Sequence, residues 1–247
     1  KDTLSSLTFD ELLSVEVGEG GKGVFVSETY ADLKQPINVG LVLPVSKYPT
    51  YSTELIAAAD SAAELINQQG GILGRPIAII RGDDASSNET AMSVTKELIN
   101  DFNAQAIIGP IESDRAQQVA KQLTLPNAIP LIAPTASMNQ LVEKNNRGLV
   151  YRLIASNAMQ GEAIANHIAG LKRHEKVIII RTKHDYDIEL SNEIINSLKK
   201  HNGTIDSQIV LSRLVNYKEY NSNKSKYFSK VFGLTAEYIN GTSVLKF

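Results

Sequence analysis

An α/β fold of doubly wound parallel sheets in two lobes, the second incomplete, is predicted by three observations on residues 37–211. Continuous apolar runs recur at INVGLVL (37–43), IAIIR (77–81), QAIIG (105–109), IPLIA (129–133) and KVIIIR (176–181). Segments with helical spacing of apolar residues separate them. Each run also opens into a loop of hydroxyls and small residues: PVSKYPTYS, GDDASSN, GPIES, APTASM and TKHDYD. Uninterrupted apolar strands alternating with helices imply a parallel sheet covered on both faces. In such sheets the loops at the strand carboxyl ends line the ligand crevice. These loops offer hydrogen-bond donors and backbone amides but no nucleophile–base pair, so they suit holding a molecule rather than transforming it.

Taken in order, residues 1–36 form an N-terminal extension or arm. Within it LTFDELLSVEV carries a capping pair, Thr8 with Glu11, and GEGGKG is a break. Residues 37–150 are the first lobe. Its first helix places Leu55, Ala58, Ala59, Ala62, Leu65 and Ile66 on one face and stops at Gly70-Gly71. A helix at 88–101 puts Ala91, Val94, Leu98 and Ile99 on one side, a third at 114–123 uses Ala116, Val119, Ala120 and Leu123, and a short one falls near 137–144. VYRLIAS (150–156) opens a second series, with helices at 160–171 and 188–200 and strands at 176–181 and 207–211, so that 151–214 form a partial second lobe. Beyond 214 the alternation stops. A lobe ending near 211 would expose apolar faces around Ile194, Leu198, Ile209 and Leu211. The tail 215–247 is therefore expected to cover them or cross to a partner chain, with Phe228, Phe232, Tyr238 and Ile239 as packing residues.

Composition narrows the function classes. A net charge of −2 gives no footprint for nucleic acid or an acidic membrane. No apolar run reaches the roughly 18 residues needed to span a bilayer, and no signal peptide is visible. The absence of cysteine excludes disulfides, thiolate zinc sites and cysteine nucleophiles.

Several motifs have ordinary readings. GGILG (70–74) follows a helix and precedes a strand, the reverse of a phosphate cradle, so it is a helix stop and turn. Asp83-Asp84 at a strand end suit loop amides and helix capping better than metal or catalysis. His167 lies on an apolar helix face and is expected to be packed, His174 and His201 sit at helix ends, and His184 in a strand-end loop has no triad partners. No metal ligand set, cofactor fingerprint or catalytic residue is nominated. Ser113 and Ser137 carry more. Each starts a helix directly after an apolar strand, which fits N-capping and equally an anion site for a carboxylate. Tyr51 and Tyr186 follow strands in corresponding loops, placed to wall a pocket.

GLVLPVS, ELINQQGGILGRPIAIIRGDDASSNETAMSVTKELI, AIIGPIESDRAQQVA, IPLIAPTAS, VYRLIASNAMQGEAIANHI and VIIIRTKHDYDIEL, in this order and spacing, resemble the type I periplasmic solute-binding proteins of the branched-chain amino-acid (Leu/Ile/Val) class. The resemblance covers about residues 37–211. It implies a ligand α-carboxylate on Ser113, with Thr135, Ala136 and Ser137 holding carboxylate and ammonium, and Tyr51 and Tyr186 as walls. It also implies a periplasmic or extracellular protein that binds an amino acid or small carboxylate without a cofactor and delivers it to a membrane permease or a sensor, and a homodimer is one further arrangement. Asp187 and Glu112 stand where the family has glycine or small residues, which would suit a cationic ligand group or merely face solvent. Residues 215–247 do not match the family's further second lobe. Two other readings follow: a sensing or assembly module on a truncated fold, or an enzyme on a doubly wound sheet.

Overall fold

The computed structural model describes residues 23–26, 35–142, 146–170, 177–201, 203, 205–210, 235–239 and 242–246. The chain divides into two compact units, Lys1–His174 with Glu189–Gly203, and Glu175–Ile188 with Thr204–Phe247.

The first unit is built on a six-stranded sheet. Its strands are β1 (Val24–Val26), β2 (Ile37–Leu43), β3 (Ile77–Asp83), β4 (Ala106–Ile108), β5 (Leu131–Ala133) and β6 (Val150–Arg152), in the spatial order β1-β3-β2-β4-β5-β6. From β2 to β6 every pairing is parallel, while β1 adds antiparallel to β3 with Phe25 opposite Arg81. The chain thus winds outward from β2 in both directions, which makes the doubly wound topology expected from the sequence. Crossovers are α1 (Pro49–Gln68), α2 (Asn88–Asn100) and α3 (Ser113–Val119).

The strand alternation splits the core in two. On one face Val42, Ile80, Ile107 and Leu131 pack with Ala91, Val94 and Leu98 of α2 and Ala116 and Val119 of α3. On the other, Leu41, Leu43, Ile77 and Ile79 pack with Leu55, Ile56, Ala59, Ala63 and Ile66 of α1. Burial on both faces explains why these strands read as unbroken apolar runs. Gly109, at φ +93, ends β4 where a Cβ would lie 2.1 Å from the Val42 carbonyl oxygen. Only glycine fits there, and the chain turns directly into the loop that carries Ser113.

Four expectations change. The packed face of α1 runs through Ser52, Leu55, Ile56, Ala59, Ala63 and Ile66, leaving Ala58 and Ala62 exposed and Leu65 57% exposed. The helix has apolar residues over more than one stripe, and the sheet selected the one bearing Ile56. The third helix passes at Val119 into a π turn, Ala120–Thr124, which buries Thr124 and leaves Leu123 half-buried. Val150–Arg152 does not open the second series. It pairs with β5 as the sixth strand of the first sheet. The following helix, α4 (Asn157–Gly170), starts three residues earlier than expected and packs through Asn157, Gly161 and Ala165, turning His167 to solvent. Gly161 permits a close approach: a Cβ there would lie 2.6 Å from Glu193 Cβ of α5 (Asp185–Lys200).

Of the apolar residues expected to need cover, Leu198 is fully buried and Ile194 half-buried. Exposed large apolar side chains occur singly elsewhere, Leu73 among them at 96%, and cluster in sequence at 151–164, with Leu153 71% and Met159 62% exposed. GGILG is the helix stop and turn expected of it, Gly71 N donating to the Ile66 carbonyl and Ile72 bridging Arg75.

The second unit holds β7 (Val177–Arg181) parallel to β8 (Ile205–Val210), and an antiparallel pair, β9 (Thr235–Ile239) with β10 (Thr242–Lys246). Asn240-Gly241 separates β9 from β10 in sequence, a dipeptide strongly favoured between hairpin strands. The LTFDELLSVEV segment, Leu211, Phe228 and Phe232 lie outside the described residues, as do the side chains of Ile209, Tyr238 and Ile239.

Candidate functional site

Ser113 begins α3 immediately after β4, and residues 134–138 follow β5, its neighbour in the sheet. Parallel adjacency therefore sets the two loops side by side at the strand carboxyl ends. The Ser113 Oγ accepts hydrogen bonds from the Ser137 amide (3.0 Å) and the Met138 amide (3.3 Å). Thr135 Oγ1 donates to the Ile111 carbonyl (2.8 Å), tying the same two loops a second time. Ser137 Oγ donates to Asn157 Oδ1 at 2.7 Å, and the Asn157 amide returns a bond to the Ser137 carbonyl (2.8 Å). Ser113, Ala136, Ser137 and Asn157 are all buried. Four of the six residues nominated from sequence, Ser113, Thr135, Ala136 and Ser137, are thus brought into one knot.

The two tyrosines are placed separately. Tyr51 lies in the first turn of α1 in the first unit and is 42% exposed. Tyr186 lies in the first turn of α5 and belongs to the second unit, 38% exposed.

Several supporting residues were not singled out from the sequence. Asn157 was read as loop before a helix starting at 160, although Ser156 gave a capping signal: its Oγ accepts the Met159 amide (3.2 Å). Arg152 Nη1 donates to the Met138 carbonyl at 2.9 Å. Asn139 donates through its amide to Glu189 Oε1 (2.7 Å) and through Nδ2 to Glu193 Oε1 (2.8 Å), while its Oδ1 accepts the Ala158 amide (3.0 Å). An arginine or asparagine in a strand-end loop carries no sequence signature for such long-range roles.

A charged cluster stands beside the knot. Asp83 accepts the Ser46 amide (3.3 Å) and the Ala85 amide (2.9 Å), and Asp84 Oδ1 accepts the Ser86 amide (2.8 Å), the loop-tying role expected of this pair. Arg115 ion-pairs with Glu112 and donates to the Ser86 carbonyl and hydroxyl, each at 3.1 Å. Burial pushes the Asp84 carboxyl up to about 6, opposed by the Ser86 amide and the Arg115 charge. The two acidic departures from the family pattern are occupied locally. Glu112 serves Arg115 and Ser86, and Asp187 accepts the Thr182 hydroxyl and amide. Both carboxylates are engaged through one oxygen each, Glu112 by Oε1 and Asp187 by Oδ2, and Glu112 Oε2 takes no hydrogen bond. Among the described residues no group of three or more acidic, histidine or cysteine side chains could hold a metal, and no helix is long and apolar enough to cross a membrane.

A parallel sheet whose strand-end loops meet at buried hydroxyls and amides places its ligand crevice there, as open α/β sheets do. The periplasmic binding protein family matches residues 36–222, and the chain belongs to it. It is 26% identical over 174 residues to the Leu/Ile/Val-binding protein of Escherichia coli strain K12, covering 70% of this chain and 46% of that protein. It is also 26% identical over 179 residues to the Leu/Ile/Val-binding protein homolog 3 of Brucella melitensis, covering 71% and 46%. The chain spans about half the length of these curated relatives. The fold matches the branched-chain amino acid transporter substrate binding protein of Streptococcus pneumoniae in complex with isoleucine (TM-score 0.60, 22% identity, 77% of this chain and 54% of that one). It matches equally a solute binding protein of an R. palustris ABC transporter in complex with benzoate (TM-score 0.60, 24% identity, 79% and 52%). The helix–GG–strand segment and the strand-end serines that suggested the family from sequence lie inside the matched span.

Proposed function

We propose that this chain captures a small carboxylate, an amino acid by preference, outside the cytoplasm for delivery to an ABC-type permease. The observation that carries the reading is the state of the Ser113 hydroxyl. It accepts two backbone amides, so both lone pairs are used and its own hydrogen is left to donate. A hydroxyl that accepts two hydrogen bonds is polarised into a better donor, and a carboxylate oxygen is its natural acceptor. Thr135, Ala136 and Ser137 shape the loop that holds it, and Tyr51 supplies an apolar wall from the same unit. The relatives support a carboxylate rather than one particular side chain, since isoleucine and benzoate share that group alone. The strands β2 to β6 act as the first lobe, so the crossing toward the second follows Arg152. The mechanism is desolvation and hydrogen bonding between lobes with no covalent step.

Calorimetric titration with L-leucine and with benzoate tests this. Saturable binding of either by the wild-type chain, weakened in Ser113→Ala, is expected. Undiminished binding by that variant reduces the serine to a cap.

A second reading, a sensing or assembly module, is favoured by the exposed apolar stretch at 151–164. Leu153 and Met159 there suit a protein partner or second copy better than water. Light scattering separates the readings: a stable dimer that binds neither leucine nor benzoate selects the module.

A further inference from the structure

A fully buried carboxylate, Asp84, and a half-buried one, Glu112, share one buried guanidinium directly beside Ser113, which is more charge than capping requires. Arg115 lies in the first turn of α3, two residues beyond Ser113, and Glu112 is the N-cap residue just before it. The Glu112 side chain makes no capping bond to the helix. Its Oε1 instead meets Arg115 and the Ser86 hydroxyl. Arg115 Nη1 and Nη2 hold Ser86 from the β3–α2 loop. Asp84 comes from that same loop, fully buried, with Oδ2 4.0 Å from Arg115 Nε and without a hydrogen-bond partner. Asp84 is faced by Asp83 from its own loop, Glu112 from the β4–α3 loop and Arg115 from α3, while β2 contributes the Leu43 carbonyl that accepts the Asp84 amide (2.9 Å). Counting Asp84, Glu112 and Arg115, the cluster carries one negative charge in excess when Asp84 is ionised.

We infer that Arg115 is a positioning residue for Ser113, and that the Asp84–Arg115–Glu112 cluster makes the placement of the Ser113 hydroxyl dependent on pH. With Asp84 ionised, the guanidinium is drawn between two carboxylates. With Asp84 protonated, it belongs to Glu112 alone, and Glu112 leads directly into Ser113. The first turn of α3 therefore takes up one of two settings, and the Ser137 and Met138 amides, which donate to Ser113 Oγ, report which one. Burial lifts the Asp84 carboxyl to about 6, which puts the change in the mildly acidic range. For a carboxylate held by Ser113, which rests on the reading above, the consequence has a sign. The excess negative charge repels the ligand and its protonation relieves that repulsion, so affinity rises as pH falls and a fraction of a proton is taken up on binding.

The decisive experiment needs no ligand. In the free wild-type chain, the amide shifts of Ser137 and Met138 followed by nuclear magnetic resonance from pH 4.5 to 8 should move together with a midpoint near 6. In Asp84→Asn they should be flat. In Arg115→Met the midpoint should rise, because Asp84 loses its cation, and Arg115→Lys should bring it back toward the wild-type value. Flat shifts in the wild type, or the same titration in Asp84→Asn, overturn the inference whether or not any solute binds. With L-leucine as probe, the wild-type dissociation constant should increase roughly three- to tenfold between pH 5 and 7.5, the scale of one partly screened buried charge, and should be level with pH in Asp84→Asn. Titrating amides without leucine binding at any pH support the positioning role and count only against leucine as the solute.

Discussion

Two neighbouring constructions at the carboxyl end of the first sheet solve loop closure by different means. Around Ser113 and Ser137 the joints are neutral: a hydroxyl accepts two amides, another hydroxyl reaches Asn157, and a threonine bonds a carbonyl. Around Asp84 and Arg115 they are ionic, with a buried arginine between acids. The neutral knot leaves one hydroxyl hydrogen to offer and can face a charged guest. The ionic cluster is locally occupied and keeps two carboxylate oxygens, Asp84 Oδ2 and Glu112 Oε2, without a hydrogen bond in the interior. Recognition, as proposed above, falls to the neutral loops, and sensitivity to pH, as inferred above, falls to the ionic ones.

The contrast is broken most severely from the ionic side. Arg115→Met deprives the buried Asp84 and its neighbour Glu112 of their cation and should cost about 3–5 kcal/mol at neutral pH, the loss typical of removing one partner from a buried pair, read by urea unfolding. On the neutral side Asn157→Ala strands the buried Ser137 hydroxyl and should cost about 1–3 kcal/mol. That loss should be independent of pH, whereas the Arg115→Met loss should shrink in acid. If both losses follow pH alike, the division into neutral and ionic constructions is wrong.

Asp84 supplies a prediction whose sign can be worked out. Its carboxyl titrates near 6 in the folded chain against 3.8 as the ordinary value, so the folded state holds the proton more tightly. Stability contributed by this group is complete below about pH 4 and is lost as pH rises through 6. Asp84→Asn keeps an oxygen for the Ser86 amide and should be more stable than wild type above pH 6 by about 1–3 kcal/mol, given about 1.4 kcal/mol per pKa unit. Melting curves across pH 4–8 read it, and an equal or lower melting temperature at pH 7.5 would count against the burial of a charged Asp84. The smallest effect belongs to Asp187→Asn. Because Asp187 already serves Thr182, leucine affinity should change less than about twofold, under 0.5 kcal/mol, and a large gain or loss would return this carboxylate to the ligand.

Much of the sheet was legible because its strands are buried on both faces and carry no polar interruption, as INVGLVL and IAIIR show. The serine–serine meeting was legible too, since parallel adjacency of β4 and β5 forces their loops together. The failures have physical reasons. On α1 the spacing of Ala58, Ala62 and Leu65 satisfied the helical period as well as the packed stripe through Ile56 and Ala63 did, and periodicity alone cannot choose between overlapping stripes. His167 was read as packed because alanines and isoleucines surround it, but α4 buries its narrow glycine–alanine side, and Ile164 lies with His167 in solvent. VYR looks like a new beginning in the sequence because a three-residue strand does not reveal its pairing partner, β5. Asn139 and Arg152 act through partners many residues away and nothing local marks them, whereas Glu112 at i−3 marks Arg115 and the Ser156 cap marks the helix start at Asn157.

The central claim is that the Ser113 hydroxyl donates to a carboxylate, and it is tested most directly by comparing L-leucine with L-leucinamide, which lacks the carboxylate. In calorimetric titrations the wild-type chain should prefer leucine by at least tenfold, and Ser113→Ala should lose about 1.5–3 kcal/mol for leucine, as for a hydrogen bond to a charged group, with little loss for the amide. Equal affinity of the wild type for the two compounds, or leucine binding unchanged in Ser113→Ala, would contradict the account.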